Sequence, residues 1–363
     1  MSESAPGAIP IWTWALPVLA ATFLGFRLTG TLDATGIGLT LLAAALLGGS
    51  VFAAVHHAEV VALRVGEPFG SLVLAASVTV IEVALIVSIM LSAPDGGATV
   101  ARDTVFAAIM IVMNGIIGLC LLVGGVRHFE QAFKIQGTGA GLAVIGTLAT
   151  LALILPNYTR SVPGPIYSDA QLIFVGIVSL SLYCLFLFVQ TVRHRDFFLD
   201  AIDPGTVHRR PSGLVTLLSV VFLLIALVSV VLLAKTLSPV IEQSVANAGL
   251  PAAFVGVVIA SVVLLPEGLS AVRAARANRL QTSLNLSLGS AMATIGLTIP
   301  TVAAVSLVLG KPLALGLQPE HIVLLVLTLF ISTLSLATGR TTVLQGGVHM
   351  VIFAAFMTIA AVP

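Results

Sequence analysis

The chain contains a series of apolar runs, each about 20 residues long, from one end to the other. An apolar helix of about 20 residues crosses the hydrocarbon core of a bilayer, so each run is a candidate transmembrane span. Charged residues make up only 9% of the 363 residues, whereas soluble globular domains carry about 25%. The sequence therefore predicts an all-α polytopic membrane protein.

Polar breaks between the runs predict about eleven transmembrane helices. The N-terminal MSESAPGAIP has no basic residue, the first being Arg27, whereas a cleavable signal peptide begins with a positive region. We therefore expect the first run to be a retained span. The expected spans are residues 8–26, 34–55, 69–93, 104–126, 138–156, 170–191, 213–234, 251–272, 283–309, 320–338 and 343–361.

The composition argues against several classes of function. A net charge of +1 provides no basic patch for nucleic acid. Cys120 and Cys184 both lie within apolar runs, outside any CxxC or Cys/His cluster, so neither a disulfide framework nor a zinc or haem site is expected. We predict no cofactor, the only bound ions being those that are transported.

The basic residues divide unequally between the two sides that eleven spans define. One side holds most of the 16 Lys and Arg residues. Because basic loops favour the cytoplasm, this predicts an inner-membrane protein with a cytoplasmic N-terminus and a periplasmic C-terminus. The other side holds only Arg27, Arg102, Arg160, Lys235 and Lys311.

The longest polar connection, residues 193–213, separates five spans from five others and leaves the first span as an extra one. Because five is odd, two related halves would lie inverted in the membrane, which is an architecture of secondary transporters. We expect an extra span within 1–33, a first five-helix half in 34–209 and a second, inverted half in 210–363.

Internal similarity supports this division. FGSLVLAASVTVIE (69–82) and FVGVVIASVVLLPE (254–267) both consist of Phe, twelve residues and Glu, with Ala-Ser-Val upstream of the acid. The spans that follow are also similar, with MNGIIGL (113–119) in one half and MATIGL (292–297) in the other. Together these matches occupy the places that an inverted repeat requires.

Glu82 and Glu267 are the acids in the interior of predicted spans. A charged side chain near the bilayer centre costs at least ~2.5–3.5 kcal/mol, so such acids usually mark functional sites. The alternative is a protonated Glu that only hydrogen-bonds between helices. We expect both acids to hold either a proton or part of a metal ion.

Further oxygen ligands flank both acids. Ser77 and Thr79 lie about one turn before the first acid, and Ser261 lies before the second. Pro266 removes a helical hydrogen bond and frees a carbonyl, and a kink that serves only packing is the alternative. Hard cations such as Ca²⁺ take six to eight oxygens at ~2.3–2.6 Å, and two glutamates supply the charge that a divalent ion neutralises. The pattern predicts a Ca²⁺ site.

The spans after each acid carry the remaining candidates. Asn114 and Ser290 are expected to line the site, whereas Ser287 and Thr294 are expected to serve close helix packing. Asn285 and Gly289 are further candidates for the metal site.

Three segments carry a resemblance to a known family: GEPFGSLVLAASVTVIEVALIVSIML, RDTVFAAIMIVMNGIIGLCLL and LLPEGLSAVRAARANRLQTSLNLSLGSAMATIGLTIP. They resemble the two α-repeats of the calcium/cation antiporter superfamily, in particular its prokaryotic calcium/proton exchanger branch, the ChaA type. The resemblance covers the whole chain and implies one extra span followed by two inverted five-span halves.

The resemblance also implies roles for individual residues. The Glu of each first repeat helix, here Glu82 and Glu267, would bind both the ion and the proton. The paired Gly-Ser element would be Gly289 and Ser290, with Asn114 at the comparable place in the first half. The Gly-Asn-x-x-Glu pattern of better-known members is absent before both acids, so Na⁺ and K⁺ are alternative cations.

The resulting prediction is a secondary transporter that exchanges Ca²⁺ for H⁺ by alternating access at a two-glutamate site. The alternative is a Na⁺ or K⁺/proton antiporter. A channel is less favoured because channels usually build pores from symmetric subunits or charged rings. An intramembrane enzyme is less favoured because no HExxH or paired Glu-Glu motif is present. Membrane lipids are the other expected partners.

Two segments that contain histidine give weaker signals. HHAEVVALRVGEPFG (56–70) contains His56, His57, Glu59 and Glu67, and its 56–67 portion is predicted to be a hydrated cytoplasmic loop. A metal pair at His56 and Glu59, or a proton antenna, is the alternative. His349 lies inside the last run, where a hydrogen-bonded packing histidine is favoured over a proton relay.

Overall fold

The computed structural model of the chain describes residues 10–29, 36–66, 69–92, 97–199 and 210–363. Eleven helices run through these ranges. They are α1 (Ile11–Leu28), α2 (Ile37–Val65), α3 (Phe69–Ser92), α4 (Gly97–His128), α5 (Ile135–Tyr158), α6 (Asp169–Arg193), α7 (Gly213–Asn247), α8 (Phe254–Arg276), α9 (Leu280–Leu309), α10 (Pro319–Leu336) and α11 (Val343–Ala361).

Each predicted span corresponds to one helix, so the all-α polytopic fold is confirmed. Ten helices in the described ranges are apolar and long enough to cross a membrane, and α3 is apolar over Ala76–Met90. The main differences are at helix ends. Helix α2 continues to Val65 and α7 continues to Asn247, well beyond the expected ends at 55 and 234.

The predicted hydrated loop at 56–67 is wrong over the part that the structure describes. Residues 56–65 form the last turns of α2, and the helix ends at Gly66, which adopts a φ of 77°. The ring of His57 is fully buried, whereas Glu59 lies on the surface. Polar residues here continue an amphipathic helix, with Ala58 and Val61 on the buried face. Glu67 lies outside the described residues.

The chain packs as two compact units. The first comprises residues 1–89 and 205–244, and the second comprises 90–204 and 245–363. The first therefore contains α1, α2, most of α3 and most of α7, and the second contains α4–α6 and α8–α11. This division describes packing, whereas the two halves deduced from the sequence describe a repeat and stay a prediction.

Within the second unit, α4 and α11 pack closely because a glycine lies at their contact. A Cβ added at Gly118 would lie 2.9 Å from the Cβ of His349, so no larger residue fits without a shift. Small residues allow helices in membranes to approach closely and gain van der Waals contact. This approach places His349 in the interior of the unit.

Four helices in the described ranges contain π-helical segments, and two of these segments lie at related places in the sequence. Ile111–Ile116 interrupts α4 and Thr294–Thr298 interrupts α9. These are the helices that follow the acid-bearing α3 and α8, and the segments overlap the similar sequences at 113–119 and 292–297. Because π segments occur frequently at functional sites, their place in both helices agrees with a site in this part of each repeat.

A two-stranded ribbon joins two connections at one end of the second unit. Strand β1 (Gln131–Ala132) pairs antiparallel with β2 (Arg340–Thr341). The buried Gln131 side chain donates to the carbonyl of Ala275 at 2.9 Å and to Asn278 Oδ1 at 3.0 Å. These bonds tie the α4–α5 connection to the end of α8. Both cysteines are free.

Candidate functional site

The carboxylate of Glu267 is paired with a hydroxyl on the next helix. Glu267 lies in the middle of α8 and is half-buried, and its Oε2 accepts a hydrogen bond from Ser290 Oγ of α9. Pro266 has no N–H to donate to the carbonyl of Val262, so an acceptor is freed one turn before the acid. The structure therefore pairs a carboxylate with a hydroxyl of the next helix, and Pro266 leaves a main-chain carbonyl without its helical donor one turn earlier in α8.

Two glycines shape the surroundings of this pair. Gly289 is half-buried, and a Cβ added there would meet nothing within 4 Å, so the space beside Ser290 is open. A Cβ added at Gly268 would lie 3.1 Å from Ile116 Cδ1, which brings the π segment of α4 against α8 immediately after Glu267. Thus α4, α8 and α9 converge at the second acid.

Asn114 lies in this π segment, is fully buried and hydrogen-bonds to side chains of two other helices. Its Nδ2 donates to Thr328 Oγ1 of α10 at 2.9 Å, and its Oδ1 lies 3.0 Å from Nδ1 of His349 in α11. Thr328 in turn donates to the carbonyl of Leu324 at 2.7 Å. The expected hydrogen bond of His349 is confirmed. This network fixes the orientation of the amide and leaves Asn114 as a candidate ligand.

The first acid, Glu82, lies in α3 within the first compact unit and is 3% exposed. Ser77 is buried, and its hydroxyl donates to the carbonyl of Val73 at 2.8 Å. Thr79 is buried one turn before Glu82. Burial of a carboxyl group in a membrane-spanning helix agrees with a functional role. A site shared by both acids stays a prediction.

The remaining candidates have other partners. Ser261 lies at the surface and donates to the carbonyl of Val257 at 2.7 Å. Ser287 is buried and donates to the carbonyl of Ser283 at 2.9 Å, in agreement with the expected packing role. Thr294 is buried at the start of the π segment in α9.

Asn285 lies farther along α9 and takes part in a different network. Its Nδ2 donates to the carbonyl of Phe198, and its Oδ1 accepts from Gln281 Nε2 at 2.8 Å. Gln281 Oε1 accepts from the main-chain N–H of Lys134 at 2.7 Å. These bonds link α9 to two connections at the basic end of the unit. A ligand role for Asn285 stays a prediction.

Tyr183 was not among the sequence candidates. It is buried in α6, and a Cβ added at Gly296 of α9 would lie 2.6 Å from the Cβ of Tyr183. Its phenol is within electrostatic range of Glu267. Of the three tyrosines, Tyr183 is the one in the interior of a predicted span, and that position is the signal that could have identified it.

The candidate ligand atoms around Glu267 are oxygen atoms. Among the residues that the structure describes, His, Cys, Asp and Glu form no group of three that could hold a metal ion. A cation at Glu267 would therefore complete its coordination with hydroxyl, carbonyl, amide or water oxygens. Ca²⁺ and the alkali cations accept such ligands, whereas soft transition metals prefer thiolate or imidazole.

Comparisons with known proteins agree with the fold. Residues 35–192 and 218–362 match the sodium/calcium exchanger protein family. The chain is 52% identical to y4hA of Sinorhizobium fredii, over 98% of this chain and 97% of that protein. It is 35% identical to the sodium-potassium/proton antiporter ChaA of Escherichia coli, over 95% of each chain. The structure of YfkE, a Ca²⁺/H⁺ antiporter, superposes with a TM-score of 0.74 at 14% identity, covering 96% and 100% of the two chains.

Proposed function

Because this chain belongs to the sodium/calcium exchanger protein family, we propose that it moves Ca²⁺ across the bacterial inner membrane in exchange for protons. The observation that carries the proposal is the carboxylate of Glu267 inside a membrane-spanning helix, where Ser290 of the next helix donates a hydrogen bond to it. The YfkE structure, a Ca²⁺/H⁺ antiporter with a similar fold, is consistent with this substrate.

Glu82 and Glu267 are the two proton carriers in this mechanism. They occupy corresponding positions in the two sequence halves, and each lies in a membrane-spanning helix. When both are protonated they carry no charge, and when both are ionised they carry a charge that one Ca²⁺ neutralises. Protons and Ca²⁺ therefore compete for the same oxygens, and this competition couples the two fluxes.

Ser290 can serve both states of the site. A serine hydroxyl has one donor and two acceptor lone pairs. In the state described by the structure it donates to Glu267, and with a cation in place it would turn to offer oxygen instead. The carbonyl of Val262 is an acceptor in either state. Inverted halves would then alternate the access of this site between the two sides of the membrane.

The second candidate function is exchange of Na⁺ or K⁺ for protons. The 35% identical ChaA protein is named a sodium-potassium/proton antiporter. The absence of Gly-Asn before both acids also separates this chain from better-known Ca²⁺ carriers. A monovalent ion would neutralise one carboxylate while the other retained its proton, so the same two acids would serve with a different stoichiometry.

Flux measurements on purified protein in sealed vesicles test the proposal. A pH gradient is imposed, and Ca²⁺, Na⁺ or K⁺ is added while internal pH and cation content are followed. Ca²⁺ is expected to dissipate the gradient and accumulate in proportion. Dissipation by Na⁺ or K⁺ alone would support the second candidate. Cation flux without proton movement would contradict both exchange mechanisms.

A further inference from the structure

A cavity of about 320 Å³ lies in the second unit at the ends of several helices. Its walls come from the first turns of α4 and α10, the connection before α8 and the last turns of α11. Water occupies about 30 Å³ per molecule, so this volume holds about ten waters, enough for a hydrated cation. Val257 of α8 lines the cavity, whereas Arg273 lies near the opposite end of the same helix. In the expected orientation the cavity is on the periplasmic side.

The cavity contains a buried ion pair. Arg102 and Asp103 line its wall and are only 7% and 8% exposed. Arg102 Nε donates to Asp103 Oδ1 at 2.8 Å, and Arg102 Nη1 donates to the carbonyl of Gly316 at 3.1 Å. Burying a pair of charges costs desolvation energy and is often no more stable than an apolar pair. A role in transport would explain why this buried ion pair is present.

Acceptor atoms line the same space. Within the described part of the chain, the Asp103 carboxylate accepts no further hydrogen bond, so one of its oxygens is available. His321 is only 7% exposed, and its ring stacks on that of Phe106 with the centroids 4.6 Å apart. Among the described residues, no group forms a hydrogen bond with its Nδ1. These are atoms that water or a cation's hydration shell can satisfy.

The cavity lies along the helix that carries the second acid. Val257 and Glu267 are ten residues apart in α8, or about 15 Å at 1.5 Å per residue. Two of the residues that line the cavity, Phe106 and Phe356, pack their rings edge-on with centroids 5.6 Å apart.

We propose that this cavity is a vestibule for the transported cation, in which the Arg102–Asp103 pair sets how long the ion stays. The proposal rests on the cation-exchange function. An unpaired aspartate facing the cavity would hold a divalent ion, and an unpaired arginine would repel it. When Arg102 and Asp103 are paired, their charges cancel, so the ion can enter the cavity and leave it again. Transport requires such binding, which is favourable but reversible.

This arrangement predicts opposite effects for the two partners. Asp103→Asn leaves the arginine uncompensated and is expected to raise the KM for Ca²⁺ at the cavity face by roughly tenfold, because local charge changes ion capture by such factors. Arg102→Gln leaves the aspartate unpaired, so the KM for Ca²⁺ at the cavity face is expected to fall. The maximal rate is also expected to fall, because Ca²⁺ leaves the cavity more slowly. The double variant is expected to lie between the two.

The experiment measures initial Ca²⁺ uptake against Ca²⁺ concentration in right-side-out and everted membrane vesicles. Arg160→Gln and Asp169→Asn are matched controls, since both residues lie on the surface at the same end of the bundle and outside the cavity lining. The variants are expected to change KM at the periplasmic face only. Misfolding lowers the amount of active protein but does not shift KM in opposite directions.

The outcomes separate this proposal from the function on which it rests. Opposite KM shifts confined to one face would support the vestibule. Equal KM values for wild type and both variants, or identical shifts at both faces, would overturn it while leaving the exchange function intact. Absence of proton-coupled cation uptake by the wild type would instead refute the exchange function itself, and the vestibule with it.

Discussion

His57 of α2 donates a hydrogen bond from Nε2 to the main-chain carbonyl of Thr13 in α1, across 3.1 Å. In a regular helix that carbonyl would accept from the N–H four residues later, but this residue is Pro17, which has none. Both Thr13 and His57 are fully buried. A histidine from the second helix thus replaces the donor that a proline removes from the first.

This relationship predicts a coupled effect on stability. His57→Ala leaves a buried carbonyl unsatisfied and is expected to destabilise the protein by about 1–3 kcal/mol. Pro17→Ala restores the helical N–H, so His57→Ala should cost much less in that background. The readout is the thermal transition of detergent-solubilised protein for the two single variants and the double variant. If His57→Ala lowered the stability equally with Pro17 in place and in the Pro17→Ala background, the hydrogen bond to Thr13 would not be the way in which His57 stabilises the protein.

The helix content could be predicted from the sequence because the length of an apolar run alone fixes whether it spans a bilayer. The end of α2 could not be predicted in this way. His56 and His57 look like loop residues, and the sequence does not reveal that His57 finds a carbonyl 44 positions away. Only the packing of α1 on α2 supplies that partner.

The residues of the candidate site could be chosen from the sequence in part, and their role as a two-glutamate site stays a prediction. The internal repeat identified Glu82 and Glu267, because an acid in an apolar run stands out in any membrane protein. The hydrogen bond from Ser290 to Glu267 joins α8 to the next helix of the chain, where Ser290 was already a sequence candidate. By contrast, Asn114 and Thr328 are 214 residues apart, and buried threonines are too common in helices for this one to be recognised. The separation of the two acids into different compact units was also not visible in the sequence.

Neutralising either acid is expected to abolish exchange. Glu82→Gln and Glu267→Gln replace a carboxylate by an amide that can neither release a proton nor supply negative charge to Ca²⁺. Proton-coupled Ca²⁺ uptake in everted vesicles should fall to background while the amount of protein in the membrane stays normal. Glu130→Gln is the control, since Glu130 is an exposed partner of Arg340 at 2.9 Å. Substantial exchange by either site variant would rule out the two-glutamate mechanism.

Removing the hydroxyl beside the second acid should weaken cation binding without stopping transport. Ser290→Ala deletes the donor to Glu267 and one oxygen ligand, so apparent Ca²⁺ affinity should fall roughly tenfold, equivalent to about 1.4 kcal/mol. Ser290→Thr keeps a hydroxyl and should retain most of the affinity. Ser287→Ala is a matched control on the same helix, because Ser287 bonds the carbonyl of Ser283 instead. Equal effects of the two alanine variants would remove Ser290 from the site.

The charge distribution predicts the topology. A reporter fused after Pro363 should be active in the periplasm, and a reporter inserted in residues 193–213 should be active in the cytoplasm. The physical reason is that Lys and Arg near span ends favour retention in the cytoplasm. Paired alkaline phosphatase and fluorescent protein fusions at each position provide the measurement. The same location for both positions would contradict the eleven-span topology and the inverted repeat.

The pH dependence of transport distinguishes direct competition from a separate proton relay. If the two glutamates carry both the proton and Ca²⁺, acidification must weaken apparent Ca²⁺ affinity, because a protonated carboxylate does not coordinate. The maximal rate at saturating Ca²⁺ on the same face must stay constant, because enough Ca²⁺ displaces the proton.

A relay through His349 would behave differently. The rate at saturating Ca²⁺ would fall as the histidine of the relay becomes protonated with increasing acidity, while the apparent Ca²⁺ affinity stayed constant. Initial Ca²⁺ flux measured against Ca²⁺ concentration at several pH values separates the two cases. His349→Gln then provides the control, since under direct competition it leaves the pH dependence of affinity in place. A constant affinity with a falling maximal rate, abolished in His349→Gln, would replace the two-glutamate mechanism by one in which the buried histidine network carries the proton.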